Sequence, residues 1–229
     1  MLKLSVIIPA YNEEKTINDV ISAVLKVPLK NIKKEAIIVD DFSTDNTRNI
    51  LKKIRAKNIK IFFHERNLGK GSAIRTALKH ATGDIILVQD ADLEYNPEEY
   101  PKLLEPIINN KAKVVYGVRF TKQHKPRYII YYLGNLVLTF ITNLLYNSKI
   151  RDMETGYKVF DKEVIKNIEL KARKFDFEPE ITAKILKKGY KIYEVPVSYL
   201  SRSVKEGKKI GWKDGLEAIY YLVKYKFSD

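Results

Sequence analysis

Between Leu4 and Val118 the chain alternates short apolar runs with amphipathic stretches, and few folds can accept that alternation. The runs occupy residues 4–9, 35–40, 59–64, 84–90 and 112–118, each of strand length. Between the first two, Ile17, Val20, Ile21, Val24 and Leu25 fall at i, i+3, i+4, i+7 and i+8, the spacing of one buried helix face. Further helices are expected at residues 45–55, 70–81 and 97–108. A repeated strand-helix order builds a mostly parallel sheet covered on both faces. Ligands of such sheets sit beyond the carboxyl ends of the strands. Here those ends are residues 9–13, 40–43 and 89–94, where the unusual polar residues gather.

Past Val118 the pattern changes. A basic segment, residues 121–127, leads into residues 128–146, which hold no charged side chain and approach the length of a membrane span. Asn135, Thr139, Thr142 and Asn143 recur on one helical face, and Leu138, Ile141, Leu144 and Leu145 on another. That pattern is read as a helix lying in a membrane interface or against the domain, not spanning. A strand near residues 156–160, helices near 162–168 and 179–188, a strand near 191–200 and a last helix from Lys213 complete the chain.

The 42 basic residues exceed the 28 acidic ones by 14, which favours anionic partners: phosphorylated substrates, an anionic membrane surface or nucleic acid. Cysteine is absent, so a metal would need oxygen or histidine ligands. No secretion signal is visible at residues 1–10, and a cytoplasmic setting is expected.

The strongest local signal is Asp90-Ala91-Asp92 after a very apolar run. Strand alternation would put both carboxylates on one side, facing one Mg2+ or Mn2+ ion, with Glu94 as a third ligand. The bland alternative is a turn or helix cap before Pro97. Pro9-Ala10-Tyr11-Asn12-Glu13-Glu14 offers a ring to stack on a base and a carboxylate for base or ribose, although Asn12 could equally cap a helix. Asp40-Asp41 stands at the next strand end, and Asp45 is assigned to capping. Gly69-Lys70-Gly71-Ser72 opens a helix and could present amides and an ammonium to phosphate. It is not a Walker A loop, because position 64 is His64, and the dinucleotide glycine fingerprint is missing.

With these residues in view, the chain resembles family-2 glycosyltransferases of the A-type fold, in the branch of dolichyl-phosphate mannose and glucose synthases. The likeness rests on Ser5-Val6-Ile7-Ile8-Pro9-Ala10-Tyr11-Asn12-Glu13, Ile38-Val39-Asp40-Asp41 and Gln89-Asp90-Ala91-Asp92-Leu93. It continues through Gly117-Val118-Arg119-Phe120, Asp152-Met153-Glu154-Thr155-Gly156-Tyr157, Phe177-Glu178-Pro179-Glu180 and Glu206-Gly207-Lys208-Lys209-Ile210.

The resemblance implies an α/β fold with a Rossmann-like sheet, an amphipathic acceptor-side helix and a basic carboxyl-terminal segment. It implies one domain, with residues 1–118 as the nucleotide-sugar half and 119–229 as the acceptor half. Pro9, Tyr11, Glu13, Val39 and Asp41 would hold the nucleoside, and Asp90 and Asp92 the metal. Glu94 stands where glutamine is frequent in that branch, and Val118 where serine is. Arg119, Arg127, Arg202 and Lys209 would face the phosphates of donor and acceptor.

The reaction so implied is inverting transfer of a hexosyl unit from a nucleotide sugar to a polyprenyl phosphate at the membrane's cytoplasmic face, with no nucleic acid partner. Contact with the membrane would be peripheral, since a single helix follows the last motif. The alternatives are a sugar-hydroxyl acceptor, with Asp152 or Glu154 as base, and a basic nucleic-acid- or membrane-binding protein with a degenerate sugar site.

Overall fold

The computed structural model describes residues 1–120, 127–202 and 211–228. Seven strands form one sheet: β1 (Leu2–Ala10), β2 (Ile32–Asp40), β3 (Ile59–Phe63), β4 (Ile85–Val88), β5 (Val114–Val118), β6 (Lys158–Asp161) and β7 (Ile192–Pro196), in the order β3-β2-β1-β4-β6-β5-β7. Only β6 runs against its neighbours, pairing antiparallel with both β4 and β5. The expected α/β A-type architecture is present, and the strand order reverses between β1 and β4.

Residues of β1 alternate between two cores. Leu4, Val6 and Ile8 pack toward α1 (Ile17–Lys26) and α4 (Tyr100–Ile108), while Ile7 packs toward α3 (Lys70–Leu78) and α7 (Phe177–Lys187). This double coverage is why β4 and the inner stretches of β1 and β2 read as apolar runs, whereas β3 at the sheet's edge is half-buried throughout. Helix α2 (Thr47–Lys53) follows β2, α6 (Lys162–Lys166) follows β6, and a 3-10 turn, Pro97–Glu99, leads into α4. Asn96 accepts from Glu98 N and caps that turn. Helices α5 (Ile129–Tyr146) and α8 (Trp212–Phe227) lie side by side.

At the amino-terminal edge of the sheet, away from the strand ends just described, Glu35 is almost fully buried. It accepts from Ser5 Oγ (2.6 Å), Lys3 Nζ (2.8 Å) and both N and Oγ1 of Thr82 (2.8 Å each). Burial alone would raise the Glu35 pKa, but these donors outweigh it and hold it at about 2, below the ordinary 4.5. A depressed carboxylate stabilises the fold above its unfolded pKa and loses that contribution as pH falls toward the folded value. Two and a half units correspond to about 3 kcal/mol. Glu35→Gln is therefore expected to lower unfolding stability by about 2–3 kcal/mol at neutral pH and to flatten the acid limb between pH 4.5 and 2, read by urea denaturation across pH.

Candidate active site at the sheet's switch point

The reversal between β1 and β4 opens a crevice beyond their carboxyl ends, and two loops converge there. After β1, Asn12 takes a left-handed conformation (φ 52°), its amide N donating to Ser43 Oγ at 2.9 Å and its Oδ1 accepting from Thr44 N at 2.8 Å. Glu13 N donates to Thr47 Oγ1 (2.8 Å) and Glu14 N to Asp45 Oδ2 (3.0 Å). The β1–α1 and β2–α2 loops are thus stitched together, with half-buried Tyr11 and buried Glu13 on the seam. Asn12 is therefore a loop tie and not the helix cap. Asp45 stands one residue ahead of the α2 N-cap, Asn46, and accepts from Thr47 N, the first amide of the helix, at 2.9 Å.

Pro9 pairs in register with Val39 on the adjoining strands. Asp41 is buried, and its carboxylate accepts from Leu68 N (2.9 Å) and Gly69 N (2.7 Å) and lies 2.7 Å from His64 Nδ1. It fastens the loop that leads into α3. Gly69 (φ 92°) is pressed so close to Arg173 that a Cβ would stand 2.3 Å from the Arg173 carbonyl oxygen.

That packing corrects the expectation for the α3 N-terminus. Gly71 N and Ser72 N, the amides that were to meet phosphate, donate instead to the carbonyls of Lys174 and Arg173, each at 3.0 Å. Only the ammonium of the motif reaches the crevice. Lys70 Nζ lies 2.8 Å from Asp90 Oδ1 and 2.8 Å from Glu178 Oε1. Burial works against its charge, but the two carboxylates outweigh burial and hold it protonated.

Strand β4 ends at Val88, so strand alternation does not aim Asp90 and Asp92; a bend does. Buried Gln89 anchors the bend. Its Oε1 accepts from the hydroxyls of Tyr100 (2.8 Å) and Tyr157 (2.9 Å), and its Nε2 donates to Asp90 O at 3.0 Å. Gly156 closes against it, for a Cβ there would stand 2.3 Å from Asp90 Oδ2. Asp92 accepts from Arg202 Nη2 at 2.7 Å, and the same guanidinium donates to Glu13 Oε2 (2.9 Å) and Oε1 (3.2 Å). Burial, then the charges of Asp90 and Glu94, push the Asp92 pKa upward against the pull of Arg202.

Glu94 turns away from the pair. Its Oε2 accepts from Tyr199 Oη (2.7 Å) and its Oε1 from Arg202 N (2.6 Å), which fixes the segment ahead of residue 203. Among the described residues no three His, Asp or Glu side chains gather around a single metal position. The donor set fits a hard divalent cation held by Asp90 and Asp92 and completed by ligand oxygens. Two carboxylates that lean on Lys70 and Arg202, one of them disfavoured by burial, are the arrangement such a cation would relieve.

Beyond β5, the largely enclosed Arg119 packs against fully buried Asp152. Arg119 N and Nε donate to Oδ2 at 2.9 Å each, and Nη2 donates to Oδ1 at 2.8 Å. Its guanidinium also sits 5.2 Å from the centre of the Tyr199 ring. Arg127 Nη1 donates to Ser201 O at 3.0 Å, so both arginines converge on the segment that carries Arg202. Lys209 lies outside the described residues. Asp152 has both oxygens spent on Arg119 and is not placed to accept a proton from a substrate. Burial raises the pKa of Glu154 and lowers that of Lys158 behind it. Roles for Glu178 and Tyr199 could not be read from the sequence, because each meets its partner across more than a hundred residues.

The sequence profile of Glycosyl transferase family 2 matches residues 5–169. The chain is 33% identical over 245 residues to UDP-N-acetylglucosamine–dolichyl-phosphate N-acetylglucosaminyltransferase of Methanococcus voltae, covering 97% of this chain and 95% of that one. It is 31% identical to dolichol-phosphate mannosyltransferase of Pyrococcus furiosus, covering 98% of this chain and 65% of the other. Among solved structures, glucosyl-3-phosphoglycerate synthase of Mycobacterium tuberculosis in complex with UDP superposes with a TM-score of 0.77 at 19% identity, over all of this chain and 81% of that one. The same enzyme with Mn2+, UDP and phosphoglyceric acid gives 0.75, again at 19% identity, over all of this chain and 80% of that one.

Proposed function

The chain belongs to glycosyl transferase family 2 and is a glycosyltransferase, and from that premise we propose that it moves a hexosyl unit from a nucleoside diphosphate sugar to a polyprenyl phosphate of the dolichyl kind, with inversion at the anomeric carbon. The observation that carries this reading is the meeting of Asp90, Asp92, Lys70 and Arg202 where β1 and β4 part, with Arg119 locked a short way off. The first group suits a diphosphate and the second a phosphate monoester.

Tyr11, Glu13 and the register pair Pro9 and Val39 border the nucleoside end of the crevice. Mg2+ or Mn2+ held by Asp90 and Asp92 would neutralise charge on the diphosphate. The protein's own share is electrostatic. Lys70 and Arg202, already protonated and aimed by fixed carboxylates, stabilise negative charge as it grows on the leaving group. Arg119, aligned by Asp152, holds the acceptor phosphate in line, with Arg127 beside it. A phosphate monoester with a second pKa of about 6 is ionised at neutral pH and attacks without a general base. The enclosure of Asp152 agrees with that economy.

A UDP-sugar is the preferred donor, in keeping with the Methanococcus voltae relative. The test is transfer from radiolabelled UDP- and GDP-sugars to dolichyl or undecaprenyl phosphate with Mn2+ or Mg2+. Metal-dependent lipid-linked product from UDP-N-acetylglucosamine or UDP-glucose is expected. Donor hydrolysis or transfer to free sugars without any lipid-linked product would replace the phosphate acceptor with a hydroxyl.

A further inference from the structure

The loop ahead of α7, residues 171–174, reads Lys-Ala-Arg-Lys, and the transfer proposed above uses none of its side chains. Its backbone groups are all engaged. Lys171 N donates to Glu180 Oε1 (2.8 Å) and Ala172 N to Glu180 Oε2 (2.6 Å), while Arg173 N and Lys174 N both donate to Asp176 Oδ1. The Lys171 and Ala172 carbonyls accept from Arg75 Nη1 at 3.3 and 3.5 Å, and those of Arg173 and Lys174 from Ser72 N and Gly71 N at 3.0 Å each. Glu180 and Asp176 are buried, and Ala172 packs into the core. The three cationic side chains are what the loop has left to offer, and they turn outward.

They meet a cavity of about 360 Å³ between the loop and α8, whose Tyr221, Lys224 and Tyr225 form the opposite wall. Asp176, one of the two acids in the lining, already accepts from two amides, which leaves Glu217 against four cations. Arg173, Lys174 and Lys224 make no ion pair among the described residues.

The two walls are fixed to each other. Lys184 Nζ donates to Glu180 Oε1 at 2.7 Å and lies 4.7 Å from the centre of the Tyr225 ring. The Tyr221 and Tyr225 rings are nearly parallel (19°) with centres 6.0 Å apart, and Lys224 Nζ sits 5.5 and 5.7 Å from them. A frame already held in this way does not have to be ordered when a ligand arrives.

A cavity of this size suits a small molecule and not a nucleic acid strand or a second protein. Four cations on facing walls exceed what a monoanion can satisfy. A diphosphate spreads several charges over two linked groups and reaches both walls, and the half-buried Tyr221 ring offers a face to a nucleotide's base.

The back of the same loop carries the amino end of α3. Gly69 and Gly71 leave no slack there, for a Cβ would stand 2.3 Å from the Arg173 carbonyl oxygen at the first and 2.9 Å from that of Ala172 at the second. A displacement of residues 173 and 174 is therefore a displacement of Lys70, which lies 2.8 Å from Asp90 in the crevice.

We propose that this cavity is a second anion site, which takes the diphosphate of a soluble ligand, inorganic pyrophosphate or a nucleoside diphosphate, and whose occupancy is felt at Lys70 through the α3 amino end. Its consequence for the sugar donor rests on the reaction proposed above; its binding does not. Amide NMR of the full chain, titrated without metal first with pyrophosphate and separately with UDP, reads both ends of the coupling. Pyrophosphate is expected to shift residues 173–174 and 221–225 saturably, with the Gly71 and Ser72 amides moving at the same midpoint. Arg173→Ser with Lys174→Ser, and separately Lys224→Ser, should each raise that midpoint at least about tenfold with basal transfer unchanged, because the loop is held by its backbone. Lys52→Ser with Lys53→Ser on α2 should leave it in place.

A lower midpoint for UDP than for pyrophosphate at residues 221–225 would identify a nucleotide as the occupant, and equal midpoints the diphosphate alone. No saturable shift on α8, equal weakening by the α2 pair, or Gly71 and Ser72 shifts that keep their midpoint in the cavity variants would overturn the site. Saturable binding in a chain that transfers no hexosyl unit would leave the site standing and remove the proposed reaction.

Discussion

Asp92→Ala is expected to reduce transfer of the hexosyl unit at least about a hundredfold, the cost of removing one preorganised electrostatic group from a transition state. More is at stake than a ligand count. Asp92 shares Arg202 with Glu13, so the substitution removes a carboxylate that would grip a cation and also releases a guanidinium toward the diphosphate. These consequences act oppositely on nucleotide affinity. UDP binding by calorimetry should be tightened by Mn2+ in the wild type and insensitive to it in Asp92→Ala, while affinity without metal holds or improves. Asp92→Asn, which keeps the size and one acceptor oxygen, should be nearly as inactive. Full turnover in Asp92→Asn would mean that shape and the Arg202 contact, not charge, are what Asp92 provides.

The parts of this site legible in the sequence were those carried by a local pattern. Alternating runs and helical spacing gave β1 to β5 and α1, since both periods lie within a dozen residues. Strand ends named the crevice before any contact was known. What stayed hidden depends on packing between distant segments. Nothing in Gly69-Lys70-Gly71-Ser72 says that residues 173 and 174 will take its amides, or that Glu178 will hold Lys70 from the far side. Glu94 reads as a ligand by its spacing from Asp92, yet Tyr199 and the Arg202 backbone claim it. The polar face of residues 128–146 was visible, but not that it turns inward, and the apolar face expected from Leu138, Ile141, Leu144 and Leu145 does not hold together: Leu138, Ile141 and Leu145 pack inward, and of the four Leu144 alone is exposed. Solvent usually decides that by taking the polar face, and here the backbone amides of residues 153 and 154 need acceptors and take it instead.

Arg119 tests the acceptor side with an effect of similar size. Two hydrogen bonds to buried Asp152 fix its guanidinium, a third holds its backbone N, and only a planar fork can make the two from Nε and Nη2 together. Arg119→Lys keeps the charge but not the fork, so the ammonium would sit closer to Asp152 and farther from an incoming phosphate. Transfer is expected to fall at least about a hundredfold, mostly in kcat with lipid phosphate saturating, and UDP affinity should be unchanged because Asp90, Asp92 and Arg202 are untouched.

Arg119→Ala is the harsher variant. It strands a fully buried carboxylate, at a cost of about 3–5 kcal/mol. Loss of activity in that variant alone would therefore confound fold with function. The informative comparison adds Arg119→Leu with Asp152→Asn, which removes the stranded charge and should recover stability without recovering transfer. Recovery of transfer along with stability would show that Arg119 serves only to neutralise Asp152, and the acceptor phosphate would then have to be held by Arg127 and the segment that carries Arg202.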